Sequence, residues 1–503
     1  MHAAPKREER GCRGRRRHGG WGAVLGVALS LAGCAAGPKF PAPIAIRCED
    51  HQTVRVFDTD GDRQADYWQY CDSDGRVVAL AYADASSAQP GARIDLDAVH
   101  VADGPHFIIA LDGVPFEVVD ELWRAGHFRL FRPPTRVICC YPSMTDPALA
   151  EVFGAGRCLG YQALYYDRRT GRLSDGNGVY LAGRNSPWLA RMSYRCSLWW
   201  DTKVYLDPAG VFRHELAGMQ RTFRAVQQGE ASAYSVGSAG LGTRDGRAGI
   251  EKYLRAVDRL CEQIVHERCG RVKITLLADH GHNLVENRCV SFDDLLRKAG
   301  YRVTDRLRAP RDVVPIHYGL VTYADFYTPD PGGVADCLLG HSDVEFACYP
   351  DGDAIVVRDE AGQARIRHGA AGFVYVPDTG DPLRLGPIVE ALRQAGRVSP
   401  EGEIDERALF DATVEHEYSD PLARIWGAFY EQVENPPDLI VNLRDGACHG
   451  SGFFYKMIGR VGSTHGGLNR MNSTTFVMTM VGELPAALRS RDVLPAVRGL
   501  GGE

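Results

Sequence analysis

What most constrains this chain is a repeated local pattern: an apolar run, a short polar loop, then a segment with helical spacing. His106–Leu111 is such a run; it ends at Asp112-Gly113 and leads into Phe116, Val119, Leu122 and Trp123 on one helical face. The run at 137–140 enters Tyr141-Pro142-Ser143-Met144-Thr145-Asp146-Pro147, after which 148–153 has helical character. Ile250, Leu254, Val257, Cys261, Ile264 and Val265 line a long helix that precedes an apolar run at 272–278 and then Asp279-His280-Gly281-His282-Asn283. Strands alternating with helices predict an α/β fold, with a largely parallel sheet sandwiched by helices. Ligands of open parallel sheets bind outside the carboxyl ends of the strands. The polar residues that follow these runs are therefore the first candidates for chemistry.

Around this pattern the chain divides further. Residues 34–45 are rich in Ala, Gly and Pro and read as a tether, and 46–100 form a small β segment with runs at 53–57, 67–70 and 77–82. The main α/β domain spans 101–483, with helices near 386–396 and 421–433 and strands at 439–443 and 474–481. A β-rich insertion is expected at about 301–385, from short runs such as Ala354–Arg358, and 484–503 reads as a C-terminal tail. Within the small β segment, Asp58, Asp60, Asp62 and Asp66 have the spacing of the first ligands of a calcium loop. Arg63 follows Gly61-Asp62, and Gln69 stands where the bidentate Glu would be. Both a structural calcium site and a solvated Asp-rich hairpin turn fit this stretch.

Charge is unevenly placed. The chain of 503 residues has a net charge of −6, yet residues 1–33 hold seven Lys/Arg and two Asp/Glu. The body is therefore acidic, which argues against a nucleic-acid duplex as partner. The N-terminal segment has a basic stretch (Arg13, Arg15, Arg16, Arg17) and an apolar run at 21–32 too short to span a bilayer. Its end, Leu31-Ala32-Gly33-Cys34, resembles a bacterial lipobox. That resemblance implies a lipoprotein signal peptide at 1–33, acylation of Cys34, and a body held at the cell envelope facing the periplasm or exterior. Ala35 in place of Asp favours the outer membrane. Of the 14 cysteines, Cys48/Cys71, Cys261/Cys269 and Cys337/Cys348 are close enough in sequence to be disulfide candidates in an oxidising compartment. Cys139-Cys140 reads as two separately buried thiols.

Asp112, Asp279 and His280 form a sensible oxygen-and-nitrogen ligand set for zinc, and a metal-bound Thr145 would be an activated nucleophile. Thr145-Asp146-Pro147 suits a helix start, whose positive field favours an alkoxide and an incoming phosphate. In this order and spacing the motifs resemble the alkaline phosphatase superfamily, in its type I phosphodiesterase/nucleotide pyrophosphatase branch. The resemblance covers roughly 105–300 and 386–483. It implies that Asp112, Thr145, Asp279 and His280 hold one metal, that Thr145 is transiently phosphorylated, and that Thr464-His465-Gly466 supplies a ligand, His465, to a second metal. His465 could also act as acid/base or phosphate contact. The substrate implied is a small-molecule phosphate ester.

One departure is plain. The branch carries an Asp and, four residues on, a His that complete the second metal site; Ala239 and Thr243 stand there in this chain. Asp245 or His214 could substitute only on a different local path. The sequence therefore supports a phosphoesterase or phosphotransferase with one or two metals, as single-metal phosphoethanolamine transferases of the superfamily operate. The alternative is a catalytically degenerate lipoprotein with a binding role. The chain has no Gly-x-Ser-x-Gly elbow, and its Gly-rich run at 237–246 lacks the Lys-Ser/Thr end of a phosphate-binding loop. Specificity is expected from 154–188, with Tyr161, Tyr165 and Tyr166, and from 301–390.

Overall fold

The structure is a computed structural model that describes residues 40–49, 51–84, 87–98 and 104–500. The segment read as a signal peptide and Cys34 lie outside these residues. Among the described residues no helix is long and apolar enough to cross a membrane.

A six-stranded sheet organises the main body. Its strands are β1 (His106–Leu111), β2 (Thr135–Ile138), β3 (Glu230–Ser235), β4 (Lys273–Ala278), β5 (Thr474–Thr479) and β6 (Ala487–Arg489), in the order β3-β1-β4-β5-β2-β6. The β3–β1, β1–β4 and β2–β6 pairs are parallel, and β5 runs antiparallel to both neighbours. Helices α1 (Phe116–Arg124), α2 (Thr145–Phe153) and α3 (Gly237–Glu267) follow β1, β2 and β3. The fold class is α/β.

The sheet is covered on both faces because its side chains alternate. Phe107, Ile109 and Leu111 pack with Leu254 and Val257 of α3, while Ile108 and Ala110 join Val137 and Leu149 on the other side. Every residue of β1, β4 and β5 is buried, which is why apolar residues stand on both faces of these strands rather than alternating with exposed polar ones. The helical face expected on α3 is the buried one.

Register decides where chemistry can sit. Leu111 pairs with both Ser235 and Ala278, so Asp112, Val236 and Asp279 leave the sheet side by side. Because β5 runs the other way and begins at Thr474, opposite Ile138, the loop before it reaches the same edge. That loop carries His465.

A second, nine-stranded sheet spans 302–443 and corrects the expected insertion. Strand Leu439–Leu443 lies between Tyr323–Tyr327 and Val344–Asp351, so a strand that follows helices Gly386–Gln394 and Pro421–Tyr430 completes the sheet. Its alternation explains the central place: Ile440 faces one apolar cluster while Leu439, Val441 and Leu443 face another. The expected tail is also integral. Ala487–Arg489 is β6, paired to β2, and Val493, Leu494 and Val497 of helix Val493–Gly499 are buried.

The N-terminal β segment contains strands Ala45–Glu49, Gln52–Phe57, Tyr67–Cys71 and Val77–Asp84 as an antiparallel meander. It sits on α3: Gln69 Nε2 donates to Glu262 Oε2 at 2.5 Å, and the Tyr82 hydroxyl donates to the His266 carbonyl at 3.0 Å.

The three expected disulfide pairs are not compatible with this arrangement. Cys48 and Cys71 both pair with Thr53, from opposite sides of its strand. Two strand spacings separate them, roughly 9–10 Å, beyond disulfide reach. Cys261 and Cys269 are eight residues apart along α3 and its end, on the order of 12 Å. Cys348 packs on one face of the nine-stranded sheet and Cys337 on the other. Cys139 and Cys140 lie just past β2, both buried, with their thiols donating to the carbonyls of Cys140 and Pro142 at 3.4 and 3.5 Å.

Candidate functional site

The edge described above gathers Asp112, Thr145, Asp279, His280, His282 and His465. Asp112 is the residue after β1, and Gly113 turns the chain with φ of 63°. Only glycine fits here, because a Cβ would lie 2.4 Å from His282 Nε2. The Gly113 amide donates to Asp279 Oδ1 at 2.9 Å, and the His280 amide donates to the same oxygen at 2.8 Å. Those two bonds fix the carboxylate after β4 and turn its other oxygen loose.

Asp112 Oδ1 and Asp279 Oδ2 are both buried with no hydrogen-bond partner. His280 Nε2 lies 3.7 Å from the first and 3.4 Å from the second. It is also 3.2 Å from the Thr145 hydroxyl. The other ring nitrogen of His280 faces the Gly281 carbonyl at 2.9 Å, which makes Nδ1 the protonated nitrogen and leaves a lone pair on Nε2. Burial pushes Asp279 up to about 7 and His280 down to about 4. Burial, and then the nearby Asp279 charge, hold Asp112 well above the usual carboxylate range. Two buried carboxyls face each other beside a neutral imidazole, so ionising both would place two negative charges in a ligand set that contributes no positive one. Asp112, Asp279 and His280 converge tightly enough to hold a metal ion, and the two unpartnered carboxylate oxygens with the His280 Nε2 lone pair are the oxygen-and-nitrogen set that zinc takes.

Thr145 is the first residue of α2, so its hydroxyl stands in the field of that helix's N-terminus. The loop before it is held in several ways. The Ser143 amide donates to the Gly466 carbonyl at 3.0 Å, and the buried Arg424 guanidinium donates to the Cys140 carbonyl at 3.1 Å and to Ser143 Oγ at 3.2 Å. Arg424 also donates to the Leu468 carbonyl at 3.2 Å, which ties the Thr145 loop to the His465 loop. Asp146 is anchored by Trp188 Nε1 at 2.9 Å and Asn185 Nδ2 at 2.8 Å.

His465 stacks on His280, with ring centroids 3.9 Å apart and planes 16° apart. Its Nδ1 donates to the Ser143 carbonyl at 2.8 Å, which leaves Nε2 as the free nitrogen. His282 is fixed through Nδ1 to Ser463 Oγ at 3.0 Å, and its Nε2 is buried without a partner. Burial and the neighbouring imidazoles keep both His282 and His465 well below the ordinary histidine range.

The start of α3 passes beside this cluster, since a Cβ on Gly242 would lie 3.5 Å from His282 Cε1. Ala239 and Thr243 are buried on that turn. Among the described residues no second group of three His, Cys, Asp or Glu side chains converges there. His214 is stacked on Trp200 with centroids 4.2 Å apart, and Asp245 is exposed.

Away from this edge, Asp58, Asp60 and Asp66 also converge, and Asp62 lies outside their group. The turn uses these carboxylates itself: Asp58 accepts from the Gly61 and Arg63 amides at 2.7 and 2.9 Å, and Asp66 accepts from the Thr59 amide at 2.9 Å. The tyrosines expected to shape specificity are packed. Tyr161 donates to the Ala428 carbonyl at 2.5 Å, and Tyr165 and Tyr166 are buried.

Sequence reasoning missed Tyr234. Its hydroxyl donates a short hydrogen bond to Asp112 Oδ2, and its ring meets Trp188 edge-on at 4.8 Å. Its place follows from the strand register, which the sequence does not give: Tyr234 pairs with Ala110, and Ala110 shares a face with Asp112 two residues on. Glu215 was missed as well; it caps α3 by accepting from the Val236 and Gly237 amides, each at 2.9 Å.

No protein-family model and no curated protein matches this chain. Among solved structures, phosphonoacetate hydrolase from Sinorhizobium meliloti 1021 in complex with phosphonoformate is similar at 14% identity, over 82% of this chain and 98% of that one, with a TM-score of 0.43. Murine ectonucleotide pyrophosphatase/phosphodiesterase 5 is similar at 11% identity, over 78% and 94%, with a TM-score of 0.41. The human counterpart is similar at 9% identity over the same shares, with a TM-score of 0.42.

Proposed function

We propose that this chain is a metal-dependent phosphoesterase, a hydrolase or phosphotransferase acting on a small phosphate ester through Thr145, with one zinc ion held by Asp112, Asp279 and His280. The observation that carries this reading is the meeting of two orphaned carboxylate oxygens and the His280 lone pair beside the Thr145 hydroxyl. Bound zinc would supply Lewis-acid stabilisation of negative charge on the nucleophile and on a phosphoryl oxygen. The remaining work falls to the chain. The N-terminus of α2 favours the Thr145 alkoxide and the incoming phosphate. Thr145 Oγ1 attacks phosphorus, the ester oxygen leaves, and water or an acceptor alcohol then releases the phospho-threonine. His465, oriented by the Ser143 carbonyl, presents Nε2 as phosphate contact or acid/base.

Bis(p-nitrophenyl) phosphate turnover by the zinc-loaded full chain tests this. Activity is expected from the parent and none from Thr145→Ala, with phosphate trapped on Thr145 and seen by mass spectrometry. Zinc binding without turnover or trapped phosphate would favour the second reading, a degenerate relative with a binding role, which Ala239 and Thr243 motivate.

The same proposal puts the body on a lipid tether at Cys34, facing the periplasm or exterior, with the outer membrane favoured. Its support is the order of basic stretch, apolar run and Leu31-Ala32-Gly33-Cys34, and loss of fatty-acid labelling in Cys34→Ala tests it. A structural calcium ion on Asp58, Asp60 and Asp66 is kept as a separate proposal. Calcium should raise the Tm of the parent and leave Asp60→Ala unmoved.

A further inference from the structure

A small sheet beside the site joins the two loops that build it. Strand Arg288–Val290 follows the Asp279–His282 loop, and strand Ala447–Gly450 leads toward the His465 loop. They pair in parallel, and Cys289 stands directly opposite Cys448. Leu320–Val321 completes the sheet on the far side of Ala447–Gly450.

Residues paired across neighbouring strands sit about 4.8 Å apart. That is inside the range of roughly 4.4–6.8 Å that a disulfide spans between Cα atoms. Cys448 is fully buried and Cys289 half-buried, both against Leu320 and Val461. Among the described cysteines, this is the pair that the strand registers place face to face.

We propose that Cys289 and Cys448 are joined by a disulfide in the oxidised protein. The two thiols lose two protons and two electrons, the Sγ–Sγ bond forms, and a disulfide donor is reduced to two thiols. The donor is a dithiol–disulfide oxidase or oxidised glutathione.

The bond closes the outer end of an existing zipper. The Asn283 amide donates to the Thr464 carbonyl at 2.8 Å, the Asn287 amide to the Val461 carbonyl at 2.8 Å, and the Arg288 amide to the Gly446 carbonyl at 3.0 Å. His282 and Ser463 meet in the same run. The disulfide is a covalent clamp on the two loops that present His280 and His465.

Peptide mapping decides the matter. The full chain, exported to an oxidising compartment, is unfolded in guanidinium with iodoacetamide and no reductant, then digested. The expected result is a cross-linked species containing Cys289 and Cys448 that dithiothreitol resolves into two peptides. Alkylation of both thiols before reduction, or a link from either to another cysteine, would overturn the proposal. A second readout uses the folded protein: reduction should lower the parent's Tm by several degrees more than that of Cys289→Ser. Equal shifts would overturn it.

Discussion

Tyr234→Phe removes one hydroxyl and nothing else from the site. Tyr234 is 8% exposed, and its ring lies against Trp188, so phenylalanine keeps the packing. What is lost is the donor to Asp112 Oδ2, the bond that leaves Oδ1 as the free ligand atom. A buried acceptor stripped of its donor costs about 1–3 kcal/mol. Losing the partner that orients a metal ligand typically weakens metal binding by about 10–100-fold, or roughly 1.4–2.7 kcal/mol. The two estimates agree in size, so the expectation is a zinc Kd raised by about one to two decades. Competition against a chromogenic chelator, with parent and variant at the same pH and salt, measures it. An unchanged Kd in a normally folded variant would refute the reasoning, because Asp112 would then not depend on Tyr234 for its orientation.

Two further outcomes are expected. Burial raises the Glu262 carboxyl from 4.5 to about 8 where it meets Gln69, so the folded state holds a proton that the unfolded chain releases. Stability from this group is complete below about pH 4.5 and falls as pH rises toward 8, a swing on the order of 3–5 kcal/mol at most. Glu262→Gln should therefore match the parent's Tm near pH 5 and exceed it near pH 9; a constant difference across that range would count against the assignment. Gly113→Ala places a side chain at φ of 63° and a Cβ 2.4 Å from His282 Nε2. Left-handed backbone costs about 1–2 kcal/mol before the clash is added, so Tm should drop and zinc affinity with it, and an unaltered thermogram would contradict the geometry.

The parts legible in the sequence are those set by local pattern. β1 and β4 are predominantly apolar on both faces and are followed by Asp-Gly and Asp-His-Gly, so both the strands and the residues that emerge from them could be read directly. The buried face of α3 follows from helical spacing alone. What could not be read depends on partners distant in sequence. The run at Leu439–Leu443 looks like any buried strand, and nothing local says that it enters a sheet otherwise built from 302–405. β6 is three residues long, too short to carry a period, and becomes a strand by pairing with β2. The same limit hid Tyr234, whose role exists only through the β1–β3 register, and the Cys289–Cys448 pairing, which joins residues far apart in the chain. Proximity in sequence misled in the opposite sense for Cys48 and Cys71, which one intervening strand holds apart.

The most direct test of the account is metal content. Full-length protein saturated with zinc and freed of excess metal should contain one zinc per chain by mass spectrometry, and Asp279→Asn should contain none while remaining folded. Two zinc ions per chain, or one that survives Asp279→Asn, would contradict a single site built on Asp112, Asp279 and His280.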